Sequence, residues 1–387
     1  MRQKRVLMIT LEFPPQIGGI ATFLHQLTNA LDHEQTILLA PSMKGDEEWD
    51  IEHVTYPIVR KKLLFPKILW PRWLRLFFHV RKIVKENNIE LIMLHHVLPV
   101  GYVAVLIKKF FGIPFIIFSH GTDVVAGTRT AWKRSMVKMV VRQSEQVIFN
   151  SNNLMGRLND KLPQFNSKYS VLYPCPDSEF FTPANTEEVE DLRVKLALEG
   201  KKVVLSVGRI DEGKGFTHLV RIFPKLLEQE PNLVWIIIGD GPKQKEMYSE
   251  IRKNNLQNIV RYVGEIPHDE IKKYYYLCDV FALFTHPDNG MEEGLGLVFL
   301  EAAACGAPIV AGRSGGVIEA VLHTQTGIIF DVYQNMAEGA NAIIQMIQNP
   351  EYAKQLGDAG QARIKATFIW EHQLKVLDQW LLIKDEE

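Results

Sequence analysis

Glu293 and Glu301 stand eight positions apart in the run Glu-Gly-Leu-Gly-Leu-Val-Phe-Leu-Glu, which continues Ala-Ala-Ala-Cys-Gly-Ala-Pro-Ile-Val-Ala-Gly. A glycine-containing turn separates the two carboxylates, and an apolar helix is expected to start inside the interval. The spacing predicts two different jobs. Glu293 falls in the loop before the helix, where glycine backbone lets a ligand approach closely. Glu301 falls about one turn into the helix, where a carboxylate can accept both hydroxyls of a ribose, as the acidic residue of dinucleotide sites does. The plainer alternative is a pair of acids drawn to a helix N-terminus by its dipole.

A second constellation is cationic. In Gly208-Arg209-Ile-Asp-Glu-Gly-Lys214-Gly215, Arg209 ends an apolar run and Lys214 sits at the glycine turn into the next helical pattern. Two cations so placed suit a diphosphate, the arginine as a planar fork and the lysine as a compact charge. The alternative is a solvated turn whose cations pair with Asp211 and Glu212. Gly18 and Gly19, in Phe13-Pro-Pro-Gln-Ile-Gly-Gly-Ile20, open a helical pattern and can present backbone N–H groups to a phosphate or polar ligand. They form neither Gly-x-Gly-x-x-Gly nor a P-loop, and a plain tight turn is the competing reading. Gly239-Asp-Gly-Pro242 reads as a structural turn, and the amides of Gly312-Arg-Ser-Gly-Gly316 are a further candidate for ligand contact. Ser119-His120-Gly121-Thr122-Asp123 places His120 just past a strand, within reach of a sugar hydroxyl. Asp-x-Asp is absent and no cluster has metal-ligand spacing, so no metal residues are assigned. The leaving group of a sugar nucleotide would then be neutralised by Arg209 and Lys214 themselves.

From Arg60 to Lys85 the chain carries Arg60, Lys61, Lys62, Lys67, Arg72, Arg75, Arg81, Lys82 and Lys85 without an acid, interleaved with Phe65, Trp70, Trp73, Phe77 and Phe78. This mix suggests a surface facing anionic lipid. Single-stranded nucleic acid would suit it too, but nothing else in the chain supports a nucleic-acid partner. The alternative is an amphipathic helix that packs its aromatics inward. Arg129, Lys133, Arg134, Lys138 and Arg142 form a second basic run, suited to a phosphorylated acceptor or to solvent.

These motifs need elements to hold them. The 387 residues allow two or three domains. The 44 basic and 45 acidic side chains nearly cancel, which gives no global attraction to nucleic acid. Cys175, Cys278 and Cys305 are too scattered for a metal or redox motif and fit a reducing cytoplasm. The apolar start is too short for a signal peptide, and the stretch Ile89 to Ile107 is broken by Glu90, His95, His96, Pro99 and Gly101, against a membrane span. Continuous Val/Ile-rich runs predict buried parallel strands at Val6–Leu11, Gln35–Ala40, Leu91–Leu94, Phe115–Ser119 and Gln146–Asn150. A second set is predicted at Val203–Val207, Val234–Ile238, Ile259–Val263, Val280–Phe284, Pro308–Ala311 and Gly327–Phe330. Helical patterns between them make repeated βαβ units. The proline-rich segment Tyr173–Pro183 marks a linker. The expected division is 1–175, 176–367, and a C-terminal helix over 368–387 crossing back to the first domain. The fold class is α/β, two doubly wound Rossmann-like domains facing a cleft, with ligands at the carboxyl ends of strands.

Phe13-Pro-Pro…Gly18-Gly19, Ser119-His120-Gly121, Gly208-Arg209…Lys214-Gly215, Gly239-Asp-Gly-Pro242 and Glu293-x7-Glu301 together, in this order, resemble the retaining glycosyltransferases of family four, with the GT-B fold, over nearly the whole chain. Phe-Pro-Pro-x-Ile-Gly-Gly-Ile and Glu-Gly-Leu-Gly-Leu-Val-Phe-Leu-Glu-Ala look most like the phosphatidylinositol mannosyltransferase branch. The linker departs from the family's usual Pro-Asn-Gly-Val-Asp form. The resemblance implies that Arg209 and Lys214 hold a donor diphosphate and Glu301 its ribose. Glu293 and His120 would contact the sugar, and Gly18, Gly19, Gly294, Leu295 and Gly296 would offer backbone to the nucleotide. It implies a metal-independent hexosyltransferase with no cofactor beyond a UDP- or GDP-sugar substrate, and an α-linked product made through a front-face, oxocarbenium-like path. The acceptor would be a glycolipid or surface-polysaccharide precursor, lipid-linked or phosphorylated, reached from the inner face of the membrane. Competing readings are a GT-B sugar-nucleotide epimerase, a transferase with a soluble acceptor, a nicotinamide oxidoreductase and a non-catalytic sugar-binding module.

Overall fold

The computed structural model describes residues 2–121 and 127–383. The chain divides into two compact units, one of 1–174 with 370–387 and the other of 175–369.

In the first unit seven strands lie parallel in the order Ile58–Lys61, Thr36–Pro41, Val6–Ile9, Leu91–Leu94, Phe115–Ser119, Val147–Phe149, Tyr169–Val171. The four central strands are buried throughout or nearly so, because helices cover both faces of the sheet. On one face pack Leu76, Val80, Val100, Val103, Ile107 and Val140, and on the other Phe13, Phe23, Leu24, Leu27, Leu377 and Leu381. The edge strands Ile58–Lys61 and Tyr169–Val171 are only half-buried. Neither carries a continuous apolar run, so hydrophobic patterning gives no sign of them.

The C-terminal segment is less regular than its helical pattern suggests. It runs as short helical turns over Trp370–Gln373, Leu374–Leu377 and Asp378–Leu381, and ends in the strand Leu382–Ile383. That strand pairs antiparallel with Arg2–Gln3. Lys4 N–H donates to the Leu381 carbonyl at 2.7 Å, and Tyr173 N–H to Gln373 Oε1 at 2.9 Å, so the segment belongs to the first unit.

In the second unit six parallel strands follow the order Val260–Gly264, Leu233–Ile238, Lys202–Val207, Val280–Leu283, Ile309–Gly312, Ile328–Phe330. Trp235, Phe223, Phe281, Phe284 and Phe299 fill its core. In each sheet the connections reverse direction beside the first strand. In the first unit that point falls between Val6–Ile9 and Leu91–Leu94, and in the second between Lys202–Val207 and Val280–Leu283. Ligands of open parallel sheets sit beyond the strand ends at such a point.

Candidate active site

The second unit's reversal point assembles the cationic turn and the first of the paired acids. After Lys202–Val207 the chain passes Gly208 and Arg209 into the short 3₁₀ turn Glu212–Lys214, then enters the helix Phe216–Gln229. Gly215 adopts φ +71°, and a Cβ there would stand 1.9 Å from the Phe284 carbonyl oxygen. Only glycine lets this turn press against the end of Val280–Leu283. Gly315 plays the same part opposite, with φ +49° and a virtual Cβ 2.1 Å from the Glu293 carbonyl. Gly316 N–H donates to that carbonyl at 3.0 Å, and Glu293 N–H donates to Ser314 Oγ at 3.2 Å. The Glu293 backbone is thereby fixed from the Gly312–Gly316 turn.

Lys214 and Glu293, 79 residues apart, meet in an ion pair of 2.5 Å, each side chain about 19 % exposed. Burial works against the Lys214 charge, but Glu293 and then Asp211 outweigh it and hold the ammonium above the usual lysine value. Burial lifts the Asp211 carboxyl, with Lys214 and Arg209 pulling it back down and Glu293 adding to the rise. Arg209, 71 % exposed and 4.0 Å from Asp211, is free to turn toward a ligand. The arrangement presents two cations, one anchored and one exposed, with a carboxylate on the anchored one.

Glu301 lies in the helix Leu297–Ala304 and is 2 % exposed. Gly294, Leu295 and Gly296 lead into that helix, with Gly296 at φ +88° as its first cap and no side-chain cap on the terminal amides. Both Glu301 oxygens are engaged: His268 Nε2 is 2.8 Å from one, and the Tyr275 hydroxyl donates to the other at 3.0 Å. Burial opposes a charge on His268, yet Glu301 first and Glu179 second raise it to about 9, so the imidazole is cationic at neutral pH. Each carboxylate oxygen accepts more than one hydrogen bond, so capacity remains for hydroxyl donors. His268 and Tyr275 were missed in the sequence because they sit 33 and 26 positions from Glu301 with no motif between.

In the first unit, Gly18 and Gly19 head the helix Gly19–Ala30, and a Cβ at either would meet nothing within 4 Å. Gly18 holds φ +159°, a backbone conformation that favours glycine, and no side chain crowds either position. His120 follows Phe115–Ser119 and is 8 % exposed. Its Nδ1 is 3.1 Å from Asn150 Nδ2, and its Nε2 is buried without a hydrogen-bond partner among the described residues. Burial, and then the proximity of His96, push its pKa down to about 3, so the ring is neutral. His95 stacks on it with ring centres 5.7 Å apart, and His96 lies 6.4 Å away with Nε2 3.5 Å from Glu12. His95 and His96 directly follow the strand Leu91–Leu94, the same placement that singles out His120, and that rule would have found them. Thr122 and Asp123 of the His120 motif lie outside the described residues.

The basic run from Arg60 to Lys85 does not present one continuous face. Arg60 is a correction to that reading. Its guanidinium is held by Asp50 at 2.6 and 3.0 Å and by the carbonyls of Pro41 and Pro14, over the Phe13 ring. It is an internal tie, because Asp50 lies ten residues before it, outside the acid-free run. Trp73 and Phe77 pack on the core, while Ile68, Leu69, Trp70 and Phe78 are exposed, with Trp70 at 87 %. Lys61, Lys62, Lys67, Arg81, Lys82 and Lys85 are exposed around them. Among the described residues no helix is long and apolar enough to cross a membrane. Of the second basic run, Lys133, Arg134, Lys138 and Arg142 lie on the exposed side of the helix Ala131–Gln143, whose Val137, Val140 and Val141 face inward, and Arg129 is exposed just before it.

Comparison with known proteins decides what this arrangement belongs to. Residues 17–180 match the family model Glycosyltransferase Family 4, and residues 188–363 match Glycosyl transferases group 1. The chain carries a family 4 and a group 1 glycosyltransferase domain in tandem. It is 27 % identical over 376 residues to the GDP-mannose-dependent alpha-(1-6)-phosphatidylinositol monomannoside mannosyltransferase of Mycobacterium tuberculosis, covering 95 % of each chain. It is 22 % identical over 313 residues to the N-acetyl-alpha-D-glucosaminyl L-malate synthase of Bacillus anthracis, covering 80 % and 78 %. The crystal structure of Anabaena HepE in complex with UDP superposes with a TM-score of 0.80 at 20 % identity, over 97 % of this chain and 98 % of that one. The two parallel α/β domains are those of the GT-B fold, and the chain is a glycosyltransferase.

Proposed function

We propose that this glycosyltransferase moves a hexose (mannose, glucose or N-acetylglucosamine) in α linkage, with retention, from a UDP- or GDP-sugar to a glycolipid or surface-polysaccharide precursor. The Lys214–Glu293 pair beside the exposed Arg209 carries the reading. Breaking the bond between the anomeric carbon and the phosphate leaves negative charge on the nucleoside diphosphate. Lys214 and Arg209 are placed to neutralise it, so the step calls for no Mg²⁺. Glu293, oriented by Lys214, accepts hydrogen bonds from the sugar hydroxyls. Glu301 accepts from the ribose, with the nucleotide displacing or sharing the His268 contact. The amides of Gly294, Leu295 and Gly296 serve the phosphates at a helix start. In the first unit, His120 keeps a neutral ring with one uncommitted nitrogen for a sugar hydroxyl, and Gly18 and Gly19 offer amides. The acceptor hydroxyl attacks on the face the diphosphate leaves, and the departing phosphate oxygen takes its proton.

The exposed Ile68, Leu69 and Trp70 amid lysines support a peripheral hold on anionic lipid, which suits a lipid-linked acceptor. A soluble acceptor is the second reading, favoured by the similarity to the malate-directed synthase. A panel of sugar nucleotides, followed by thermal shift and by release of nucleoside diphosphate, tests the proposal. Stabilisation by a UDP- or GDP-sugar with none by NAD supports it, and the reverse refutes it.

A further inference from the structure

Behind the phosphate turn lies a cluster that the transfer reaction does not use. Glu212 comes from the 3₁₀ turn, His218 from the first turn of the helix Phe216–Gln229, and His286 from the segment after Val280–Leu283. One ligand atom from each lies within 4.8 Å of the other two. His286 is 2 % exposed, and its Nε2 is enclosed with no hydrogen-bond partner among the described residues. Its Nδ1 faces the Pro287 carbonyl at 3.1 Å and the Tyr333 hydroxyl at 2.8 Å. A carbonyl only accepts, so the proton belongs on Nδ1 and Nε2 is a bare lone pair. A backbone carbonyl on the far nitrogen is how metal-binding histidines are oriented. Glu212 also accepts from Lys243 at 2.9 Å through Oε2, which leaves its other oxygen available.

We propose that Glu212, His218 and His286, the last through Nε2, form a binding site for one divalent transition ion of the zinc class. Two imidazoles and a carboxylate are a zinc donor set, and water would complete a tetrahedron. Bonds of about 2.0–2.1 Å place tetrahedral ligands roughly 3.3 Å apart, so side-chain rotations of about an ångström close the site. The ion would tie the turn bearing Lys214 to the sheet, since His286 N–H already donates to the Gly213 carbonyl at 2.9 Å. The three residues are 6 and 68 positions apart, a spacing that no sequence motif announces.

The test uses the full chain, stripped with chelator and titrated with zinc chloride by calorimetry, then with cobalt chloride by absorption. One equivalent of Zn²⁺ should bind, with Mg²⁺ binding far more weakly. His218→Ala, on a half-buried position, should weaken Zn²⁺ binding at least about 100-fold, and Tyr333→Phe, on an exposed one, about 10-fold. Cobalt should give ligand-field bands without a thiolate band. Absence of stoichiometric Zn²⁺ binding overturns the proposal. So do unchanged affinity in a folded His218→Ala or Tyr333→Phe protein, and a cobalt–thiolate band, which would place the ion on Cys175, Cys278 or Cys305.

Discussion

Replacing Lys214 separates what this residue does for the fold from what it does for the reaction. Its ammonium is 2.5 Å from Glu293, and both side chains are about 19 % exposed. Lys214→Met keeps most of the volume and leaves Glu293 half-enclosed beside Asp211, whose carboxyl already feels Glu293. Breaking one side of a buried pair costs about 3–5 kcal/mol. The remaining exposure puts this pair at the low end, near 3 kcal/mol, measured by urea denaturation. Adding Glu293→Gln removes the stranded charge, and the double variant should recover most of that stability. Turnover should behave differently. Loss of one donor aimed at developing charge costs about 2.7–4 kcal/mol, or 10²–10³ in kcat. That loss should persist in the double variant, because Arg209 alone is left to face the leaving diphosphate. The assay is nucleoside diphosphate release at saturating donor, on proteins shown to be folded by circular dichroism. Near-normal kcat in Lys214→Met, or recovery of kcat together with stability in the double variant, would show that the pair is only structural.

Glu301→Gln keeps the packing against Tyr275 and should weaken binding of bare GDP or UDP about 10-fold, while Glu293→Gln should spare that binding and lower transfer. Calorimetry that finds equal effects on nucleotide affinity would show the roles wrongly divided. His268 is raised from 6.5 to about 9 by Glu301 against the pull of burial. A base whose folded value is raised stabilises fully below its unfolded value, so the contribution is complete below pH 6.5 and is lost as pH climbs through 9. The full shift is worth about 3 kcal/mol, and with the side chain 35 % exposed about 1–2 kcal/mol survives screening. Melting temperature should fall between pH 7 and 9.5 in the wild type, with a smaller fall in His268→Gln. Charge reversal at Lys61, Lys62 and Lys67 should remove about 1 kcal/mol of attraction per residue to anionic vesicles at low salt. Co-sedimentation that is unaffected by these changes, or absent in the wild type, would return the face to packing and favour a soluble acceptor.

The central strands were legible because burial on both faces demands an uninterrupted apolar run, as in Val6–Ile9 and Leu233–Ile238. Observed ends differ from those expected by a residue or two, as at Val6–Leu11, since apolarity outlasts pairing. The half-buried edges Ile58–Lys61 and Tyr169–Val171 lack that signature. Strand-end glycine turns pointed to Lys214 and Glu293, but not to their direct pairing, which depends on the crossover that brings Val280–Leu283 beside Lys202–Val207. The partners of Glu301, and the cluster of Glu212, His218 and His286, come from separate helices and loops, and only tertiary packing assembles them. The acid-free count from Arg60 to Lys85 was accurate, yet it hid the tie from Arg60 to Asp50 across neighbouring segments.

The most direct measurement is nuclear magnetic resonance of the protein turning over an NDP-α-hexose with anionic lipid extract as acceptor source and no Mg²⁺. One donor, GDP- or UDP-linked, should yield its nucleoside diphosphate together with a new α-anomeric signal in the lipid fraction. Release of neither nucleotide, or a β-anomeric product, would contradict the proposed transfer.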